Sequence, residues 1–167
     1  NEPITYTNTD VITNISSYAS YPVSSRGLSQ EVIDHYGVKM STTPDGNPGS
    51  HYYPYTKKGE IVAYKERILP KDFRIHGNFS NVELFGQSVS VGNRMLVITE
   101  GELDAMAVAE AFYKRYKRFY PCVSVPSASA TKVVLEQRDW INKFDTVILA
   151  FDQDEAGEAC TTAVAKM

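Results

Sequence analysis

Three short runs of nearly uninterrupted apolar residues punctuate the second half of the chain: MLVITE (95–100), PCVSVPS (121–127) and DTVILAFD (145–152). Continuous apolar runs of this length predict strands buried on both faces. Between and after them the pattern lengthens to a helical period. GELDAMAVAEAFYKRY (101–116) can turn Leu103, Met106, Ala107, Ala111 and Phe112 inward. SATKVVLEQRDWINKF (129–144) carries Val133, Val134, Trp140 and Ile141, with Ser129 or Thr131 as cap, and DEAGEACTTAVAKM (154–167) begins a third helix. The order β-α-β-α-β-α predicts an α/β core: a parallel sheet flanked by helices.

The first half follows a different pattern and predicts a small mixed α+β subdomain. Residues 1–24 are rich in Thr, Asn and Ser and read as loop or weak strand. RGLSQEVIDHYGV (26–38) predicts a short helix with Ser29 as N-cap and Gly37 closing it. STTPDGNPG (41–49) is turn material. HYYPYTKKGEIVAYKERIL (51–69) predicts two strands joined at Lys58-Gly59, the second burying one face and offering Lys65 and Arg67 on the other. Residues 77–94 read as irregular. The division is therefore an N-terminal subdomain over 1–90 and a core over 91–167. The chain ends within an expected helix, so a fragment is expected, with its sheet continuing downstream.

Composition changes this picture little. With 167 residues and 43% hydrophobic content the chain can bury a core. No stretch approaches the roughly 20 apolar residues of a membrane span, and NEPITYTNTD lacks the features of a signal peptide. Cys122 and Cys160 do not form a metal or redox motif, and His35, His51 and His76 are scattered, so zinc is not expected. A reducing compartment follows as the default. The net charge of −3 hides an uneven distribution. Lys57, Lys58, Lys65, Arg67, Lys71 and Arg74 face only Glu60, Glu66 and Asp72 in the same stretch. KRYKR (114–118) reads as helix-end charge. Tyr52, Tyr53 and Tyr55 are open to two readings, stacking on bases or packing the subdomain.

The candidate chemistry lies at the ends of the apolar runs. Ligand sites of parallel sheets form beyond the carboxyl ends of the strands. Glu100 ends the first run, Asp104 follows one helical turn later, and Asp152 and Asp154 follow the third. Gly101 permits a tight strand-to-helix turn, and Gly157 close packing of the last helix. If the first and third strands are neighbours, the carboxylates converge, and an oxygen-only set favours Mg²⁺ or Mn²⁺. Such ions bridge to phosphates, which points to phosphoryl or nucleotidyl transfer. Each acidic motif alone is equally a helix start suited to the macrodipole. Lys132 reads either as a phosphate contact or as a first-turn cation.

VITEGELDAMAV together with VILAFDQDEAG resembles the Toprim domain shared by DnaG-type primases, type IA and II topoisomerases, OLD-family nucleases and RecR-like proteins. With RGLSQEVIDHYGV, YPYTKKGEIVAYKERI and HGNFSNVELFG, the chain is similar to the primase half of T7-type phage helicase-primases and their mitochondrial relatives over about residues 24–167. The resemblance implies a DNA-dependent RNA primase making short primers on single-stranded DNA from ribonucleoside triphosphates. It implies Glu100, Asp152 and Asp154 as catalytic residues, these three with Asp104 as ligands of Mg²⁺ or Mn²⁺, and Lys65, Arg67, Lys71, Arg74 and Lys132 as nucleotide or template contacts. A replicative helicase, in cis or in trans, is the implied partner, and the replication fork in a host cytoplasm the implied place, a mitochondrial origin staying open. The four-cysteine zinc module and the Walker A motif of that family do not occur in these residues. Two alternatives stand beside the primase reading: a non-catalytic DNA-binding and helicase-coupling module, and a Toprim nuclease fragment.

Overall fold

A computed structural model describes residues 7–68, 72–127 and 130–166. Its first element corrects the expectation of loop or weak strand: Asn8–Ser16 form helix α1. The cause is local. Thr7 Oγ1 accepts a hydrogen bond from the Asp10 amide at 3.2 Å, and the Thr7 amide donates back to Asp10 Oδ2 at 2.9 Å. This reciprocal box satisfies two orphan amides. Helix α2 (Gln30–Tyr36) forms where the sequence predicts it, with Ser29 Oγ accepting from the Val32 amide and Gly37 turning left-handed at φ 67°. Its buried residues are Val32, Ile33 and Tyr36.

Four antiparallel strands follow in simple order: β1 (Lys39–Thr42), β2 (Pro48–Lys57), β3 (Glu60–Ile68) and β4 (Asp72–Gly77). The β2–β3 turn falls at Lys58-Gly59, both at positive φ. Register divides the side chains cleanly. Tyr53 pairs with Lys65, Tyr55 with Ala63, Lys65 with Ile75 and Arg67 with Phe73, and these share one face. Tyr52, Tyr64, Glu66, Arg74 and His76 occupy the other, where Ile15 of α1 joins Tyr52 and Tyr64 in a small apolar cluster. Tyr53 and Tyr55 are fully buried and Tyr52 nearly so. Their role is packing, which decides between the two readings of these tyrosines.

The second sheet is parallel: β5 (Met95–Thr99), β6 (Cys122–Ser124) and β7 (Thr146–Ala150), in the order β6-β5-β7. Helix α3 (Glu102–Tyr116) connects β5 to β6; α4 (Ala130–Glu136) and α5 (Arg138–Ile141) connect β6 to β7; α6 (Glu155–Val164) follows. Phe85 adds an antiparallel bridge to Ser124 on the β6 side. Two apolar clusters cover the sheet. One joins Val97, Ala105, Met106, Ala109 and Cys122 to Val32, Tyr53, Tyr55 and Phe85 of the N-terminal half. The other joins Leu96, Ile98 and Val123 to Val134, Ile141, Cys160 and Val164. The Tyr36 hydroxyl donates to the Cys122 carbonyl at 2.6 Å across the first cluster.

Two expectations about burial need correction. β5 and β6 are covered on both faces, but β7 alternates: Val147 and Leu149 pack inward, while Ile148 is 43% exposed. On α3, Ala107 and Ala111 face outward, and the buried stripe instead includes Glu102 and Glu110. Both glutamates have partners. Glu110 Oε2 accepts from the Ser29 amide and hydroxyl at 2.9 and 2.7 Å, which anchors the start of α2 to α3.

The outer face of the first sheet holds a pH-sensitive contact. His76 Nε2 lies 2.7 Å from Glu66 Oε2, and the Tyr52 hydroxyl donates to Glu66 Oε1 at 3.1 Å. Burial pushes the Glu66 carboxyl up, but the hydrogen bonds around it outweigh burial and leave it below its ordinary value of 4.5. A depressed folded-state pKa contributes stability that is present above the unfolded value and lost as pH falls through the folded one. Urea unfolding of Glu66→Gln is therefore expected to lose part of the wild-type stability at pH 7. The wild-type advantage should shrink below about pH 4.5. A difference independent of pH would sink this assignment.

Candidate active site

Glu100 immediately follows the central strand β5, and Asp152 is the second residue after the neighbouring β7. Parallel register pairs Thr99 with Ala150, so the two acidic residues leave the sheet side by side. Glu100 Oε2 accepts a hydrogen bond from the Asp152 amide at 3.1 Å. Asp154 is the N-cap of α6, its Oδ1 accepting from the Gly157 amide at 2.8 Å. Asp104 is exposed in the first turn of α3. All four thus lie at the carboxyl-end rim of the parallel sheet. They do not gather: among the described residues, no three His, Cys, Asp or Glu side chains stand close enough to share a metal ion. The reason is local engagement. Glu100 is turned to a backbone amide, Asp154 to its helix, and bare carboxylates repel at short range.

The two glycines differ in kind. A Cβ on Gly157 would overlap the Asp152 carbonyl oxygen, so the α6 N-terminus can approach the acidic loop only with glycine. A Cβ on Gly101 would meet only the carboxylate end of Asp104, at 2.8 Å.

The basic residues separate. Lys65 reaches from β3 across to the rim, where its Nζ lies 2.7 Å from Glu102 Oε1 and donates to the Pro126 carbonyl at 3.1 Å. Arg67 is on the same face, two residues further along. Arg74 is on the opposite face, its guanidinium 4.0 Å from Glu66. Lys132, highly exposed, pairs with Glu136 at 3.7 Å within α4. Lys71 and Ser129 lie outside the described residues. The cations therefore do not form one patch. Lys65 reaches the rim, Arg67 shares its sheet face, and Arg74 does not.

Sequence reasoning missed Glu102. Its side chain is almost wholly buried, and Oε1 accepts from both the Lys65 ammonium and the Tyr55 hydroxyl, the latter at 2.6 Å. Burial first, then the Glu102 charge and this hydrogen bond, hold the Tyr55 phenol well above its usual range. Glu102 stands next to Gly101 in a first helical turn, where acidic residues are commonplace. Nothing in the sequence marked it as an interior group.

Residues 97–167 match the Toprim-like family. The chain is 28% identical over 147 residues to the DNA helicase/primase of Enterobacteria phage T3, covering 87% of this chain and 25% of that protein. It is 28% identical over 130 residues to the primase homolog protein of Arabidopsis thaliana, covering 68% of this chain and 36% of that one. It is 27% identical to the chloroplastic/mitochondrial Twinkle homolog protein of the same plant, of which it spans 17%. Among solved structures, the primase fragment of the bacteriophage T7 primase-helicase superposes with a TM-score of 0.77 at 27% identity. That likeness covers 96% of this chain and 64% of the T7 fragment. A chain of the structure of bacteriophage T7 lagging-strand DNA polymerase interacting with primase domains of two gp4 subunits bound to an RNA/DNA hybrid and dTTP superposes at 0.75 and 27% identity, over 96% of this chain and 78% of that one. The chain therefore spans only a quarter of the T3 protein. Motif, topology and superposition agree that this is a Toprim-domain protein homologous to the primase domain of T7-like phage primase-helicases.

Proposed function

We propose that this domain is a DNA-dependent RNA primase that joins ribonucleoside triphosphates into short primers on a single-stranded DNA template. The observation that carries the reading is the adjacency of β5 and β7, which sets Glu100 beside Asp152 at the rim, with Lys65 of the first sheet reaching over the same rim. Glu100, Asp152 and Asp154 act as the catalytic carboxylates, and with Asp104 they are the residues that would hold Mg²⁺ or Mn²⁺. Such an ion supplies charge neutralisation to the triphosphate. The protein's own part is to fix these carboxylates on strand ends and a helix cap, and to hold Lys65 where an anion meets the rim. Arg67, Lys71, Arg74 and Lys132 are proposed contacts for template or nucleotide. The partner is a replicative helicase domain, and the place of action a replication fork.

The test is incorporation of labelled ribonucleotides on mixed-sequence single-stranded DNA with Mg²⁺ or Mn²⁺, using the full-length protein and Asp152→Ala. Short RNA made by the wild type and lost in the variant is the expected result. DNA binding without RNA synthesis would replace the reading with a helicase-coupling module, which the ungathered carboxylates favour as the second reading. Cleaved template would point to a nuclease.

A further inference from the structure

The rim-facing side of the first sheet ends in an apolar pair that the packing leaves open. Phe73 on edge strand β4 is 49% exposed and Ile75, on the same face, 43%. Cations border the ring. Lys65 Nζ lies 4.7 Å from the Phe73 centroid and the Arg67 guanidinium carbon 5.6 Å. Arg67 Nε is buried without a hydrogen-bond partner among the described residues. A half-open aromatic ring with two cations over it, beside the acidic rim, has the two parts of a single-strand platform: an open aromatic surface for a base and positive charge for the backbone. The buried aromatics of this subdomain offer no such surface, since Tyr53, Tyr55 and Tyr64 are enclosed.

We infer that Phe73 is a stacking platform for a base of single-stranded DNA, with Arg67 holding the adjoining phosphate. The inference rests on the primase reading and names a contact that its acidic residues do not supply. Charge complementarity selects a nucleic-acid strand over an apolar partner, because an apolar partner would bury the Arg67 guanidinium, whose Nε has no hydrogen-bond partner among the described residues, without compensation. Stacking is tolerant of base identity, as a template reader that moves along mixed sequence requires.

The experiment uses the full-length protein with Phe73→Leu, Phe73→Tyr and Arg67→Gln, each checked for wild-type thermal unfolding. Phe73 is half exposed, so these variants keep the core. Binding is measured by anisotropy to a mixed-sequence oligonucleotide and to the same length of abasic strand. Stacking is read from the emission of 2-aminopurine within the oligonucleotide. Loss of one stacked base predicts roughly tenfold weaker binding for Phe73→Leu. Phe73→Tyr should bind like the wild type. The preference for bases over the abasic strand and the 2-aminopurine response should both vanish in Phe73→Leu. Arg67→Gln should weaken both strands and flatten the salt dependence. Wild-type binding and emission in Phe73→Leu would overturn the inference while leaving primer synthesis as it stood. A response to free 2-aminopurine riboside triphosphate with none to the strand would also overturn it. A wild type that neither binds the strand nor makes RNA would remove the primase reading itself.

Discussion

Alanine at position 157 is expected to destabilise the domain by about 2 kcal/mol, although helix propensity points the other way. Gly157 is the third residue of α6, where alanine would gain up to about 1 kcal/mol over glycine in an unconstrained helix. The added Cβ would overlap the carbonyl oxygen of Asp152. Both atoms are fixed to backbone, so neither can rotate away, and overpacking of this kind costs about 3 kcal/mol at the upper end of its usual range. Relief requires α6 to withdraw from the loop, which breaks the Asp154 cap on the Gly157 amide and moves Asp152 off Glu100. Urea denaturation of Gly157→Ala should show a lowered midpoint at unchanged slope. Gly101→Ala is the contrast. Its Cβ meets only the mobile end of Asp104, so a loss of about 0.5 kcal/mol is expected from the poorer N-cap. A Gly157→Ala protein as stable as wild type would refute the close approach of α6 to the acidic loop.

The second large effect is expected at Lys65. Lys65→Met should cost about 3 kcal/mol, because removing one partner of a buried pair leaves the other charge uncompensated. The side chains of Lys65 and Glu102 are 14% and 4% exposed, with 2.7 Å between the charged atoms. Glu102 would be left with only the Tyr55 hydroxyl. Adding Glu102→Gln should recover most of the loss, since the amide oxygen still accepts from Tyr55 while the buried charge is gone. The double-mutant cycle therefore should show strong coupling. A cost below about 1 kcal/mol for Lys65→Met would mean that water reaches the pair and that it is an ordinary surface bridge. The consequence for function is that Lys65 is partly committed. It joins the first sheet to the Toprim rim as well as bringing charge to it.

Much of the core was legible because its signals are local. Ser29 and Gly37 bound α2, Lys58-Gly59 makes the hairpin, and the three apolar runs become β5, β6 and β7 in order. The failures have equally specific causes. α1 was missed though its Thr7/Asp10 box was readable, because no strong apolar run follows it. β1 has four residues and borders a turn-rich stretch, and β4 carries no clean alternation of burial, so neither stood out. On α3 the expected Leu103, Met106 and Phe112 pack inward but Ala107 and Ala111 do not, because Glu102 and Glu110 occupy buried positions and a hydropathy pattern places glutamates outside.

Placement of Glu100 and Asp152 just beyond strand ends was likewise a sequence-level result, since each closes an apolar run. By itself the sequence determined α2, the β2–β3 hairpin, the order of strands and helices in the core and the acidic positions that follow its first and third strands, because period, caps and turn residues act over a few positions. Only the tertiary structure decided which cations share a face, that Arg74 is turned away from Lys65 and Arg67, that Lys65 is held by Glu102, and that Phe73 stays open. Those outcomes depend on strand register and on contacts between residues 37 or more positions apart, such as Lys65 with Glu102. Register turns neighbouring residues to opposite faces, and no local pattern records which face the rest of the chain will cover.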